Sequence, residues 1–148
     1  MKALTIRQPW ASLTLMLDPV GVAFKRVETR GRRTNYRGRI AIHAGLVDEI
    51  FFSRCFARKE RPHLVVAGLK SDMDIRKLPH GAVIGEVTIA DCVPIEELWG
   101  TPYCTERERA FGDWSKRRFG WILEDPVMYA DPVPARGQLG LWNWEGKT

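Results

Sequence analysis

The sequence predicts an α+β fold, a small β-barrel decorated by two to four helices. Several short strand-like runs are separated by turn residues. Helix-like stretches interrupt them without the regular strand–helix alternation of a doubly wound sheet. The chain has 148 residues, which fits one domain over 1–148 with enough buried surface to need no metal or disulfide.

Residues Ala3 to Arg7 read as the first strand. Pro9 suits a helix start, where its missing N–H costs nothing. Trp10, Leu13, Met16 and Leu17 follow at helical spacing until Asp18, Pro19 and Gly21 end the helix. From Phe24 to Arg30 the pattern alternates. Val27 and Thr29 face one way, and Arg26, Glu28 and Arg30 the other. The stretch RGRRTNYRG is a loop, punctuated by Gly31, Asn35 and Gly38. Arg39 to Ala44 is a second clear strand, and Val47 to Arg58 has the spacing of an amphipathic helix.

The run HLVVAGLKSDMDIRKL is compatible with helix, strand or an ordered excursion. Pro79 to Gly81 then punctuates before a strong strand, Ala82 to Val93. Pro94 to Leu98 opens a short helix, and Thr105 to Arg118 has helix-like charge density. Gly120 to Glu124 and Leu139 to Trp144 read as closing strands.

Cys55, Cys92 and Cys104 are odd in number and lack CxxC spacing, which argues against a disulfide framework and a zinc ribbon. His43, His63 and His80 are too scattered for a metal motif. No GxGxxG or Walker loop is present, so no cofactor is implied. No signal peptide or membrane-length apolar run is visible, so the expected setting is reduced and cytoplasmic, with no membrane partner.

The net charge is +5 and the pI about 9.4. From Lys25 to Arg39 there are seven basic residues and one acid, a local excess of +6, which leaves 16 basic and 17 acidic residues elsewhere. The whole excess therefore belongs to one short segment. A localised positive field suits a polyanion, because binding releases counterions from phosphates. A solvated arginine-rich edge is the plainer alternative.

Four pieces of the chain carry a family resemblance. They are Thr5–Leu13 (TIRQPWASL), Gly21–Arg30 (GVAFKRVETR), Tyr36–Ala44 (YRGRIAIHA) and the tail Phe119–Pro126 with Gly137–Trp142. Together they resemble the ASCH (activating signal cointegrator homology) domains, with their QPWAS helix start, GxKxxExR signature and YRGxxAIHA strand. Gly21 lies four residues before Lys25, where the family usually has two, so a longer turn is expected. The resemblance implies a PUA-like barrel with a cleft between the first helix and the signature strand. Many members are thought to bind RNA or related ligands there. One bacterial branch hydrolyses acetylated cytidine and carries a Thr three positions after the Lys. This chain has Glu28 in that place.

The expected ligand-binding set is Gln8, Trp10, Lys25, Glu28, Arg30 and His43. Glu28 can accept a hydrogen bond from an exocyclic base amine, Lys25 can donate to a phosphate or base carbonyl, and Arg30 offers a planar fork. In the structural alternative the three form an internal ion-pair network. Gln8 can read a base edge and Trp10 can stack on one, although tryptophans are mostly packing residues. His43, on an apolar strand, is expected to be a satisfied buried histidine before a proton carrier. Arg26, Arg32, Arg33, Tyr36, Arg37 and Arg39 form the expected phosphate-contacting edge. RNA is the expected partner, with DNA, a nucleoside or a nucleotide as alternatives. A competing function is a hydrolase on a modified nucleoside or RNA, of amidohydrolase or ribonuclease type, with Lys25 as base or nucleophile and Glu28 orienting water. A scaffold domain contacting another protein through its apolar helices ranks third.

Overall fold

A computed structural model describes residues 1–48 and 59–146. The strands are β1 (Lys2–Ile6), β2 (Val27–Arg30), β3 (Gly38–Ala44), β4 (Ala82–Pro94), β5 (Phe119–Pro134) and β6 (Leu141–Asn143). They form one mixed sheet in the order β2-β5-β4-β3-β1-β6, bent into a half-barrel. All pairings are antiparallel except β1 with β3, where Lys2 meets Ile40 and Ile6 meets Ala44. The helices are short: α1 (Trp10–Leu13), α2 (Arg61–Val66), α3 (Asp72–Arg76) and α4 (Glu106–Ala110), with a 3-10 turn at Ile95–Leu98. This is the expected small α+β barrel-like fold.

The period-2 pattern explains the strands. Leu4 and Ile6 of β1 enter a cluster with Ile40, Ile42, Val87 and Leu123 on the inner face. Ala3 points the other way, with Ala41, Val83 and Trp142. Leu13 of α1 joins Phe24, Leu64, Ile75 and Phe111 in a third cluster that carries the helices on the sheet.

Several elements differ in length from expectation. The first helix ends at Leu13, because Lys25 N–H and Phe24 N–H take the carbonyls of Leu13 and Met16. The chain then reverses at Asp18, whose carboxylate accepts from Val20 and Val22 N–H. The expected helix over 105–118 shrinks to α4. Thr105 caps it by accepting from Glu108 N–H, and buried Phe111 ends it. The ambiguous run after His63 resolves into α2 and α3, separated by Gly68 at a φ of 88°. β5 runs ten residues past Glu124, through three prolines. The helix expected over Val47–Arg58, and Cys55 with it, falls almost wholly outside the described residues.

Candidate functional site

The start of α1 and the first strand of the basic segment, β2, face one another across an open cavity of about 700 Å³. Thr5, Ile6, Arg7 and Trp10 form one wall, Glu28 to Gly31 the floor, and Phe111, Gly112, Asp113 and Arg118 the opposite wall. Gln138, Leu139 and Gly140 close one end. Such a volume falls within the range of small-ligand sites.

Glu28 is the organising group. It is 8% exposed, and both of its oxygens are engaged. Lys25 Nζ donates to Oε1 at 2.9 Å, and Arg30 Nε donates to Oε2 at 3.1 Å. Burial favours the neutral acid, but the charges of Lys25 and Arg30 outweigh it and hold the carboxyl below its ordinary range. Each oxygen uses one hydrogen bond of the two it can accept, so the ionised group keeps acceptor capacity toward the cavity. Arg30 is fixed twice more, by donating Nη2 to Thr5 O at 2.9 Å and by lying 5.8 Å from the Trp121 ring centroid.

Lys25 stands behind this pair. It is 1% exposed and does not line the cavity. Its ammonium also donates to the Val27 carbonyl. On its other side is Glu108, buried in α4, which accepts from Arg26 N–H at 2.6 Å and Val27 N–H at 3.4 Å. Burial pushes the Glu108 carboxyl above its ordinary range, although Lys25 and the two N–H groups pull it down. The ion-pair network expected as the structural alternative therefore exists, and the cavity opens onto it.

Trp10 packs against Phe111 with ring centroids 5.4 Å apart, so it is a packing residue whose remaining surface lines the cavity. Gln8 is buried outside the cavity. Its amide donates to Ser12 Oγ at 2.8 Å and to Pro79 O at 2.9 Å, and accepts from Ser12 N–H. His43, 1% exposed, lies in a neighbouring pocket. Ala135 O, 2.7 Å from Nε2, can only accept, so Nε2 carries the hydrogen. Trp142 Nε1–H donates to Thr5 Oγ1 at 3.1 Å, leaving the Thr5 hydroxyl hydrogen for His43 Nδ1 at 3.2 Å. The histidine is thus satisfied at both nitrogens and ties the 135–140 strap to β3. Gly137 fits against it because a Cβ there would lie 2.7 Å from His43 Cε1.

The basic edge divides. Arg37 pairs with Asp91 at 3.2 Å, and Arg39 with Glu86 at 3.2 Å. Arg26 lies over the Tyr103 ring at 5.0 Å, and the Tyr36 hydroxyl donates to Arg39 O. Arg32 and Arg33 are exposed and follow directly on cavity-lining Gly31, with Arg33 over Phe119 at 5.4 Å. The sequence excess of +6 is therefore partly matched in space by acids of β4.

Arg7, Phe111, Asp113 and Arg118 line the cavity without having been expected there. Arg118 arrives because Arg30 of β2 pairs with Phe119 of β5, and its Nη2 donates to Thr29 O. Only the pairing of those strands could have signalled it.

Fold and site together define a small α+β half-barrel domain with an open cleft between its first helix and β2. Among solved structures the chain is similar to a point mutant of ZmASCH from Zymomonas mobilis. Identity is 15% and the TM-score 0.45, over 90% of this chain and 74% of that one. No family model and no curated protein matches the chain.

Proposed function

We propose that the chain is an RNA-binding domain that seats one nucleotide in the cleft. The observation that carries the proposal is Glu28, a carboxylate held ionised at the cleft floor by a buried lysine and flanked by an arginine and an aromatic wall. An acceptor-only group at that place selects a base edge that donates, such as the exocyclic amine of adenine, cytosine or guanine. Uracil offers its one N–H between two carbonyls, which a carboxylate repels. The part of the Trp10 ring that Phe111 leaves uncovered stacks on the base, and Arg7, Arg30 and Arg118 face its phosphate. Lys25 acts through Glu28. Its charge keeps the acceptor ionised without touching the ligand.

Arg32 and Arg33 extend the phosphate contacts from Gly31 outward. Arg37 joins them by exchange, since an exposed ion pair such as Arg37–Asp91 is worth about 0–1 kcal/mol and a phosphate can replace the carboxylate, whereas Arg39 is held on the sheet by Glu86, Thr88 Oγ1 and the Asp125 carbonyl. Arg26 and Tyr36 support that edge from behind.

The test is fluorescence anisotropy with single-stranded RNA and matching DNA homopolymers, on the parent chain and on Glu28→Gln. The expected result is a preference for the amine-bearing bases over uracil that Glu28→Gln relaxes, with thermal melting to confirm folding. Binding of equal strength to all four bases in both proteins would sink the proposal.

A further inference from the structure

We infer that a strand seated in the cleft continues over the Trp10–Phe111 wall into a second pocket, which holds the phosphate of the adjoining nucleotide. This inference rests on the nucleotide reading above. The second pocket has a volume of about 500 Å³ and shares Trp10, Phe111, Gly112 and Asp113 with the cleft. The two are therefore neighbouring stations of one groove, separated by a low ridge.

The ridge suits a nucleic-acid strand. Trp10 and Phe111 meet at an interplanar angle of 47°, with Phe111 buried behind the half-buried Trp10 ring, which lines both pockets. Gly112 lets the backbone lie close to β2, because a Cβ there would stand 2.9 Å from Thr29 Oγ1. Beyond the ridge the groove carries two exposed cations, Lys59 and Arg109. Its acids are Glu60 and Asp113. Asp113 has partners of its own. It accepts from the N–H and O–H of Ser115, which hold its carboxyl below the ordinary range, and it lies 3.6 Å from Arg118 Nε. Lys59 also helps to lower the Asp113 carboxyl, so an incoming anion competes with that acid for Lys59, while Arg109 stands exposed beside it.

The positions of the cations give the groove a direction. On one side of the cleft, Gly31 leads to Arg32 and Arg33. On the other, Phe111 leads to Arg109 and Lys59. A bound nucleotide meets cations toward both of its neighbours, so the cleft reads a nucleotide inside a strand and not a free end.

The test titrates the chain with a cytidine monophosphate, a dinucleotide and a tetranucleotide of cytidine across a salt series, and repeats it with the Lys59→Glu/Arg109→Glu variant. The expected result is an affinity that rises with length in the parent chain. In the variant this rise disappears, the slope of log K against log salt falls by about 0.7 for each lost phosphate contact, and monophosphate binding stays unchanged. Lys116→Glu, an exposed position outside the groove, controls for net charge. A tetranucleotide bound no more tightly than the monophosphate, or a length gain that survives in the variant, overturns this inference alone. Failure of every probe to bind the parent chain overturns the cleft reading as well.

Discussion

A buried ammonium forfeits several kcal/mol of hydration, and Lys25 recovers it from two carboxylates that arrive from different parts of the chain. Glu28 sits three residues along, at the start of the site. Glu108 comes from α4 and also anchors the turn before β2 by accepting Arg26 and Val27 N–H. The two acids share one cation but titrate in opposite directions. Glu28 is depressed, so its contribution to stability is full above its unfolded value near 4.5 and is lost as pH falls through its lower native one. Glu108 is raised, so its contribution is full below 4.5 and is lost as pH rises through its higher native value. Glu108→Gln keeps an acceptor for the backbone but removes that titration. Urea unfolding from pH 4 to pH 8 is therefore expected to show the parent chain losing stability relative to the variant as pH rises. A constant difference across that range would mean that Glu108 titrates normally.

The β4–β5 ladder is the longest pairing in the sheet, and it changes register three times. Gly85 sits at one of those shifts, where a Cβ would lie 2.4 Å from the Val127 carbonyl oxygen and 2.6 Å from Leu15. Backbone cannot move aside as a side-chain end can. Gly85→Ala is expected to destabilise the domain by about 1–3 kcal/mol, read as a lower urea midpoint with an unchanged slope. At this scale much of the sheet was legible. Alternation marks β1, β3 and β4, because each buries one face or both. The second half of β5 was not, since Pro126, Pro132 and Pro134 imitate a loop. The helix over 105–118 failed for a tertiary reason. Phe111 and Trp114 are buried on either side of Gly112, and burying them ends α4 early.

For the whole molecule the deciding quantity is where charge remains after folding. The sequence assigns +6 to Lys25–Arg39, but Asp91, Glu86 and Glu108 approach that segment from outside it. Arg32 and Arg33 remain exposed and carry no ion pair among the described residues. If they track phosphates, Arg32→Glu/Arg33→Glu weakens RNA binding in proportion across sequences and lowers the salt slope by about 0.7 per contact. A change of base preference with an unchanged slope would assign them another role. Glu28, Arg30 and Trp10 were legible as cleft residues because they lie inside the motifs. Arg118, Phe111 and Asp113 were not. They belong to distant segments that only the β2–β5 pairing and the end of α4 bring to the same wall.

The prolines in the second half of β5 also bear on how copies of this domain meet. β2 pairs with β5 from Phe119 to Ile122 and Leu123 N–H reaches the Arg26 carbonyl, so beyond Leu123 no strand pairs with that flank of β5 among the described residues. A long bare strand of this kind is a template on which another molecule can add its own. Pro126, Pro132 and Pro134 have no N–H to offer, and Asp125 turns the backbone out of line at a φ of 50°. Together they interrupt the ladder that a second strand would have to follow, which disfavours self-assembly along this flank.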